Sequence, residues 1–403
     1  MEKYADILNA AYKTAMLEYH GTRKEQVNTS LQSANAFLFL VLDIRKNGVR
    51  EPYKSRVISH LKSVTKGGQE PCIDAVQIWS YPSLVCALTL CKHTPEIWAE
   101  LDADAIDRVD HVMTAFALMS NFISNDKNEY RTGIGLKGDV RKDRAPNFRF
   151  PLIVPAIAAA HYFGGVDALD TVLASFDYDA FIEQTKAFGF INMLEIWEKA
   201  DTEYNGRLIP GAKQLLTEGG KAYIISNTHY DRGNVYRGGN GEGAKIPYLY
   251  EGMRADDIGI AKSLIRYNHS GGACKSFAGN DGEGKHLCYT IDGSISVVEG
   301  VDGMMLEYNL SDPGGLRSSA SYCNVDFMGE ISLVSMLKEL GVWDGDQECE
   351  KLMLVGGTDH IHKLAVGYMS QGMGIRYIEA ENNLGGYKFI RALWEIYFPE
   401  IEV

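Results

Sequence analysis

Apolar residues recur at three- and four-residue spacing through most of the first half of the chain. The stretch "YADILNAAYKTAMLEY", beginning at Tyr4, has the pattern of an amphipathic helix. The stretch "SANAFLFLVLDIRKNG" ends in Asn-Gly, a pair that stops helices, and "DADAIDRVDHVMTAFALMSNFIS" opens on acidic residues that suit a helix N-terminus. Segments of about 12 to 20 residues joined by short turns indicate antiparallel helix pairs.

The pattern then predicts two more helices and a loop before them. The stretch "FPLIVPAIAAAHYFGG" is predicted to start its helix at Pro151 and end it at Gly164-Gly165. The following residues carry one helical stripe with a break near Asp177. We interpret "RKDRAPNFRFP", residues 141–151, as a basic aromatic loop between helices.

The residue composition changes near Leu208. Residues 208–313 are dense in glycine and aromatic residues, and alternating stretches such as "SISVV" indicate strands or hairpins. Helical patterns return in "FMGEISLVSMLKELG", "TDHIHKLAVGYMSQG" and "YKFIRALWEIYF". Strand–helix alternation is not found, which disfavours a doubly wound sheet. We therefore predict an all-α fold: one α/α toroid domain over residues 1–403, with residues 208–313 supplying long loops and short β-hairpins at its cleft.

Composition and charge narrow the function classes. The chain has 403 residues with a formal net charge of −13, which argues against nucleic acid as the main partner. The longest apolar run, from Ala36, meets Asp43 and Arg45 too soon for a membrane span. Seven cysteines without a C-x-x-C pair argue against a disulfide framework or a zinc site. A local basic cluster would still allow an anionic substrate.

No leader-like segment precedes the first predicted helix. We therefore expect a cytoplasmic protein, or a periplasmic or secreted one if a signal peptide has been removed. The oligomeric state is left open.

A glycine-rich stretch, "GNDGEGKH" at residues 279–286, comes close to a phosphate-binding loop. His286 stands where that loop needs a Ser or Thr for magnesium. The flanking residues also predict neither the strand before such a loop nor the helix after it. We interpret the stretch as a loop whose Lys285 and His286 face an anionic ligand.

The middle region is rich in Asn, His, Arg and Tyr, the residues that β-elimination on a uronic-acid polymer requires. The proton at C5 is weakly acidic because the neighbouring carboxylate is already negative. Asn, His or Arg donors must offset that charge, and a Tyr or His must take the proton. A nearby Tyr must then protonate the leaving oxygen.

This residue order resembles that of the toroid polysaccharide lyases that degrade alginate and glucuronan. In those families an Asn and a His flank the substrate carboxylate, an Arg assists, and a following Tyr acts as acid, base or both. The resemblance covers roughly residues 200–330. The resemblance implies that the reaction needs no cofactor or metal. It also implies catalytic roles for Asn227 or Asn268, for His269 or His229, and for Arg317 and Tyr322 of "RSSASY".

Further polar residues are expected to contact the anionic polysaccharide. They come from the same region and from the basic loop, where Arg offers a planar fork to carboxylates. These residues are Asn268, Tyr230, Arg232, Tyr236, Arg237, Lys285, His286, Tyr289, Arg144, Asn147 and Arg149. His360 and His362 form only a weak metal pair, because residues two apart diverge on a helix.

Two other functions stay open at this point. A glycoside hydrolase on the same architecture would need paired carboxylic acids, for which the candidates are Asp231, Asp281, Asp326, Glu330 and Asp359. A non-catalytic carbohydrate-binding protein would also explain tyrosine-rich loops, since the chain holds 22 Tyr residues that could stack on sugars.

Overall fold

The computed structural model describes residues 2–15, 23–64, 80–124, 146–175, 177–189, 285–289, 295–299, 328–354 and 387–399, with 258–259, 261–262 and 265. Within these ranges the chain is mostly helical. The helices are α1 (Glu2–Thr14), α2 (Arg23–Asn47), α3 (Tyr53–Val64), α4 (Tyr81–Lys92), α5 (Pro95–Trp98), α6 (Ala103–Ser124), α7 (Pro146–Phe163), α8 (Val166–Ala174), α9 (Tyr178–Phe188), α10 (328–339), α11 (Gln347–Leu354) and α12 (Tyr387–Tyr397).

Helices α2, α4 and α10 are buried over much of their length, as their all-round apolar sequences require. Residues 36–42 of α2, 81–91 of α4 and 328–337 of α10 are buried without a break. Helix α4 lies between α2 and α7 and packs on both. These three helices, with α7 and α12, are called the inner helices below.

Paired contacts give the directions of the inner helices. Asn35 of α2 meets Ser83 of α4 near the start of α4, and Arg45 meets Thr94 just beyond its end. Helices α2 and α4 are therefore parallel.

The remaining inner helices follow the same direction. Thr89 and His93 contact the carbonyls of Ala158 and His161, so α7 is parallel to α4. Helix α10 reaches Ser83 through Ser332 and reaches Arg45 through Glu339. Helix α12 places Phe389 beside Phe39 and the carbonyl of Ile396 beside Lys46. All five N-termini consequently point to one end of the layer.

Helices α1, α3 and α6 run the other way. Tyr4 contacts Glu395 at the end of α12, whereas Ala15 contacts Ser33 in the first half of α2. His60 of α3 packs on Phe37 of α2, although α3 starts just after α2 ends. These outer helices pair antiparallel with inner ones, as predicted for helix pairs.

The C-terminal ends of the inner helices are tied by a polar network. The guanidinium of Arg45 donates to Glu339 Oε2 at 3.2 Å, to the Glu339 carbonyl at 2.8 Å and to the His93 carbonyl at 2.7 Å. Tyr397 donates to Glu339 Oε1 at 2.8 Å, which brings α12 into the network. One arginine thereby joins four inner helices.

Several sequence predictions are confirmed. Helix α2 ends at Asn47, and Gly48 takes the left-handed φ of 90° that stops it. The break near Asp177 separates α8 from α9, whose N-terminus Asp177 caps by accepting from the Ala180 amide at 3.0 Å. The predicted strand at "SISVV" is β2 (Ile295–Glu299), which pairs antiparallel with β1 (Lys285–Tyr289).

The predicted start of α7 is wrong. The helix begins at Pro146 and runs through Pro151, so Asn147 and Arg149 lie in its first turn and not in a loop. Proline suits the first helical position, where no amide is needed. Pro151 has no amide hydrogen, so the helix lacks one hydrogen bond, the one to the carbonyl four residues earlier.

The mainly helical character is confirmed for the described residues. Closure of the two layers into a toroid, the single-domain assignment and the role of residues 208–313 stay predictions. The predicted helix at "TDHIHKLAVGYMSQG" lies outside the described residues. Among the helices of the described part, none is long and apolar enough to cross a membrane.

Candidate functional site

The N-terminal ends of α2, α4 and α7 lie at different levels along the layer. Asn35 and Ser83 lie at the same level, and α2 begins twelve residues before Asn35, whereas α4 begins two residues before Ser83. Because an α-helix rises about 1.5 Å per residue, α2 extends about 15 Å beyond the start of α4. The contact between Thr89 and Ala158 gives α7 an extension of about 6 Å on the other side.

The electrostatics of this end favour anions. Each helix N-terminus carries roughly half a positive elementary charge, and acidic residues in the first turn offset it. Helices α4, α7 and α12 have no acidic residue in their first turns. Helices α6, α8, α9 and α11 begin with Asp104, Asp167, Asp179 and Glu348, whereas the outer helix α3 also has no acidic residue in its first turn. Three inner helices thus lack a first-turn carboxylate that would offset their positive partial charge.

Arg149 adds a full positive charge to the first turn of α7. A cation at a helix N-terminus is opposed by the helix dipole by about 0.3–1 kcal/mol. The helix dipole therefore disfavours an arginine in this turn. The predicted contact of Arg149 with an anionic substrate stays a prediction, whereas its predicted placement in a loop is wrong.

Three other predicted residues come shortly before an inner helix in the chain. Arg144 lies outside the described residues, two positions before Pro146. Tyr322 and Arg317 also lie outside them, six and eleven positions before the first residue of α10. Six residues span at most about 21 Å, so Tyr322 is tethered to the N-terminal end of α10.

The remaining predicted residues divide into two groups. Lys285, His286 and Tyr289 form part of β1, where their backbones pair with Glu299, Val298 and Ile295. The interpretation of Lys285 and His286 as loop residues is therefore wrong. A strand after Gly284 also differs from the helix that a phosphate-binding loop requires. Outside the described residues, in the connection from α9 to α10, lie Asn227, His229, Tyr230, Arg232, Tyr236, Arg237, Asn268 and His269.

A buried polar network that sequence reasoning missed lies at the level where α4 and α10 begin. Ser83 Oγ donates to Asn35 Oδ1 at 2.5 Å and lies 2.9 Å from Ser332 Oγ. Asn35, Ser83 and Ser332 are at most 2% exposed. The signal available in the sequence was a polar residue within each of three apolar helices, but periodicity does not reveal which ones meet.

A groove on the outer layer was also missed. It has a volume of about 330 Å³ and lies between α6, α8 and α9. Asp107, Asp110 and Asp177 line it, beside the buried ring of His111, which stacks on Phe181 with centroids 4.2 Å apart. Three carboxylates make this groove unsuited to a polyanion.

His111 is held as a neutral side chain. Its Nδ1 lies 3.2 Å from Gln184 Oε1 and its Nε2 lies 2.8 Å from Thr185 Oγ1. Burial lowers the pKa of His111 to about 4, against a smaller opposite effect of the Gln184 hydrogen bond. The histidine therefore ties α6 to α9 at neutral pH.

Of the five carboxylates considered for a hydrolase, one belongs to a described residue. Glu330 is in the first turn of α10 and is 0% exposed, so its carboxylate does not face an open cleft. Asp231, Asp281, Asp326 and Asp359, like His360 and His362, lie outside the described residues. Within the described ranges, no group of three or more His, Cys, Asp or Glu residues is placed to hold a metal ion.

Comparison with known proteins gives one similarity that covers nearly the whole chain. The chain is 26% identical over 409 aligned residues to a gellan lyase of a Bacillus species, covering 95% of this chain. It spans about 15% of the length of that relative. No family model matches the chain, and no solved structure matches it.

This similarity supports the expectation of a polysaccharide lyase, a carbon–oxygen lyase. It gives no particular support to alginate or glucuronan as the substrate.

Proposed function

We propose that the chain is a polysaccharide lyase that cleaves a uronic-acid-containing polymer by β-elimination. The observation that carries the proposal is the similarity to a gellan lyase over 95% of the chain. The first turns of α4 and α7 also support it, because neither carries an acidic residue and α7 carries Arg149, which favours an anion at these N-termini.

We propose gellan as the first substrate to test, followed by glucuronan and alginate. β-Elimination needs a carboxylate beside the C–H bond that breaks, so a polymer cleaved by such a lyase contains a uronic acid. The name of the relative favours gellan, whereas the order of Asn, His, Arg and Tyr along residues 200–330 favours alginate or glucuronan.

The reaction assigns one role to each group of residues. Asn227 or Asn268, with His269 or His229, donates hydrogen bonds to the uronate carboxylate, and Arg317 offsets its charge. Tyr322 takes the C5 proton. The glycosidic bond from C4 to oxygen then breaks, a C4–C5 double bond forms, and the proton passes to the leaving oxygen.

We propose that substrate contacts outside this catalytic group come from α7 and its preceding segment. Arg149 and Asn147 lie in the first turn of α7, and Arg144 comes two residues before it. Asn268, Tyr230, Arg232, Tyr236, Arg237, Lys285, His286 and Tyr289 complete the proposed substrate-binding set. The reaction needs no metal in this proposal.

The test is incubation of the full chain with gellan, glucuronan and alginate, with and without chelator. A lyase produces a conjugated double bond that absorbs ultraviolet light, and this absorbance rises together with new reducing ends. Reducing ends without absorbance would mean a hydrolase, and binding without either would mean a carbohydrate-binding protein. Activity lost with chelator would redirect the site to His360 and His362.

A further inference from the structure

Helix α9 contacts α6 through two polar side chains that lie one helical turn apart on α6. His111 meets Gln184 and Thr185 of α9 with its two ring nitrogens, at 3.2 and 2.8 Å. Arg108 donates from Nη1 to the Phe188 carbonyl, at 3.1 Å, where α9 ends. The interface between α6 and α9 therefore includes one side chain, His111, that titrates near neutral pH when it is exposed to water.

Two aromatic rings of α9 enclose the ring of His111. The Phe181 ring stacks on it with centroids 4.2 Å apart, and the Phe188 ring meets it edge-on at 5.4 Å. His111 is only 5% exposed. A charged imidazolium in this place would lose most of its hydration, which costs free energy unless a counter-charge replaces the water.

The hydrogen bonds of His111 offer it no counter-charge. Thr185 has one hydroxyl hydrogen and donates it to the Phe181 carbonyl at 2.7 Å, so His111 Nε2 carries the hydrogen that joins it to Thr185 Oγ1. Gln184 Oε1 lies 3.2 Å from Nδ1, and half a turn of the amide would present its NH₂ group to a neutral ring. Gln184 is uncharged in both orientations.

Charged side chains of α6 and α9 also lie near His111, whereas the groove-lining residues of α8 are uncharged. The carboxylates line the groove beside the ring, and they are Asp107, Asp110 and Asp177. The cation is Arg108, whose guanidinium lies 4.6 Å from the Phe188 ring centroid. Burial prevails over these groups and lowers the pKa of His111 to about 4.

We propose that His111 makes the docking of α9 on α6 sensitive to pH: protonation of its ring releases α9 locally and opens the groove between α6, α8 and α9. Water can solvate the imidazolium once α9 has moved away, so the released state takes up the proton more readily. The inner helices keep their packing in this local release. The inference does not depend on the proposed function.

The direction of the effect follows from the two states of the histidine. A solvated histidine has a pKa near 6.5, whereas burial lowers the pKa of the docked His111 to about 4. The docked state is therefore favoured above pH 6.5 and loses this advantage as the pH falls from 6.5 towards 4. Between pH 7.5 and pH 5.0, the equilibrium constant for release should rise about 25-fold.

The test is amide hydrogen exchange of the full chain at pH 7.5 and pH 5.0, measured by mass spectrometry on peptides from Tyr178–Phe188 and corrected for intrinsic exchange rates. Protection of α9 in the wild-type chain should fall about 25-fold at the lower pH. His111→Gln should remove this response. The matched control is His60→Gln in α3, which removes another buried histidine with a pKa lowered to about 4 and should leave the α9 response unchanged.

Gln184→Glu is a second variant that keeps the size of an exposed side chain. It brings a carboxylate to Nδ1 of His111, where the structure has the Gln184 amide. This counter-charge favours the imidazolium in the docked state, so the α9 response should shrink to less than about fivefold. If the histidine variants do not fold, Gln184→Glu decides whether His111 carries the response.

Low concentrations of urea separate local release from global unfolding. They should leave the α9 exchange rate nearly unchanged, because local release exposes little surface. Exchange of α9 that accelerates with urea as steeply as global unfolding would overturn the inference. Equal loss of the response in His60→Gln and His111→Gln, a full response in Gln184→Glu, or unchanged α9 protection at the two pH values in the wild-type chain would overturn it as well.

Discussion

The two ends of the inner helices differ in charge and in connection. At the C-terminal end, the connections after α2, α7 and α10 are short, and Arg45, Glu339 and Tyr397 bind the helices together. At the N-terminal end, three helices start without an acidic residue, and α7 starts with Arg149. We propose that the C-terminal end stabilises the layer and that the N-terminal end receives the anionic ligand.

The largest effect is expected from removing a candidate catalytic residue, which our proposal assigns to the N-terminal end. His269→Ala should lower kcat/KM at least about 100-fold, because a lost acid–base or carboxylate-binding group typically costs that much. The measurement is the initial rate of ultraviolet absorbance on the best polymer.

A matched histidine at the opposite end provides the control. His161 lies in the last turn of α7, and His161→Ala should retain kcat/KM within about twofold, since it is far from the proposed chemistry. If His161→Ala lost as much activity as His269→Ala while remaining folded, the two ends would not divide the roles as proposed.

Arg45→Met should chiefly reduce stability. The Arg45 and Glu339 side chains are only 16% and 18% exposed, so deleting the guanidinium leaves a partly buried carboxylate without its cationic partner, although the Tyr397 hydroxyl still donates to it. We expect the free energy of unfolding to fall by about 2–4 kcal/mol in urea titrations. The kcat of the remaining folded enzyme should be unchanged.

A more exposed ion pair at the same end provides a comparison for the stability loss of Arg45→Met. Arg50 and Asp43 lie 2.6 Å apart, with the arginine 36% exposed. Arg50→Met should cost less than about 1 kcal/mol. Equal losses in the two variants would mean that Arg45 does not organise the C-terminal end.

Acid should destabilise the outer layer through two histidines. Burial lowers the pKa of His111 and of His60 to about 4, from 6.5. Between pH 6.5 and 4 the unfolded chain binds protons that the folded chain does not, so stability falls as the pH falls through this window. Each histidine contributes a slope of about 1 kcal/mol per pH unit.

The variant His111→Gln tests this assignment. It should remove about half of the histidine-dependent slope in urea titrations between pH 6.5 and 4. A slope identical to that of the wild-type chain would show that His111 is protonated equally in both states.

A small effect, comparable to that of Arg50→Met, is expected at Lys92. Its ammonium lies 3.8 Å from the centroid of the Tyr162 ring and 3.4 Å from Asp110 Oδ1. Lys92→Met keeps the apolar stem, so thermal and urea unfolding should show a loss of only about 1 kcal/mol. A loss as large as that of Arg45→Met would place the main stabilising contact at the outer layer.

Local signals in the sequence predicted much of the helical architecture. Asn47-Gly48 stopped α2, Asp177 began α9, and alternating residues at 295–299 formed a strand, because each depends on nearby backbone preferences. The sequence pattern misplaces the start of α7 because Pro146 and Pro151 both suit the first position of a helix, and the helix begins at the earlier one.

Long-range contacts were beyond this kind of prediction. Arg45 and Glu339 are 294 positions apart, and Ser83 and Ser332 are 249 apart. Periodicity indicates which face of a helix is buried but not which helix covers it. The predicted Arg149 contact, now placed at a helix N-terminus, and the roles of His269, Arg317 and Tyr322 stay predictions.

The most direct test of the central claim compares the wild-type chain and Tyr322→Phe on gellan, glucuronan and alginate, with the unsaturated product measured by absorbance and mass. The account predicts unsaturated oligosaccharides from the wild-type chain and at least about a 100-fold slower release from a folded Tyr322→Phe variant. Equal rates from the two proteins, or products that have gained water instead of a double bond, would contradict it.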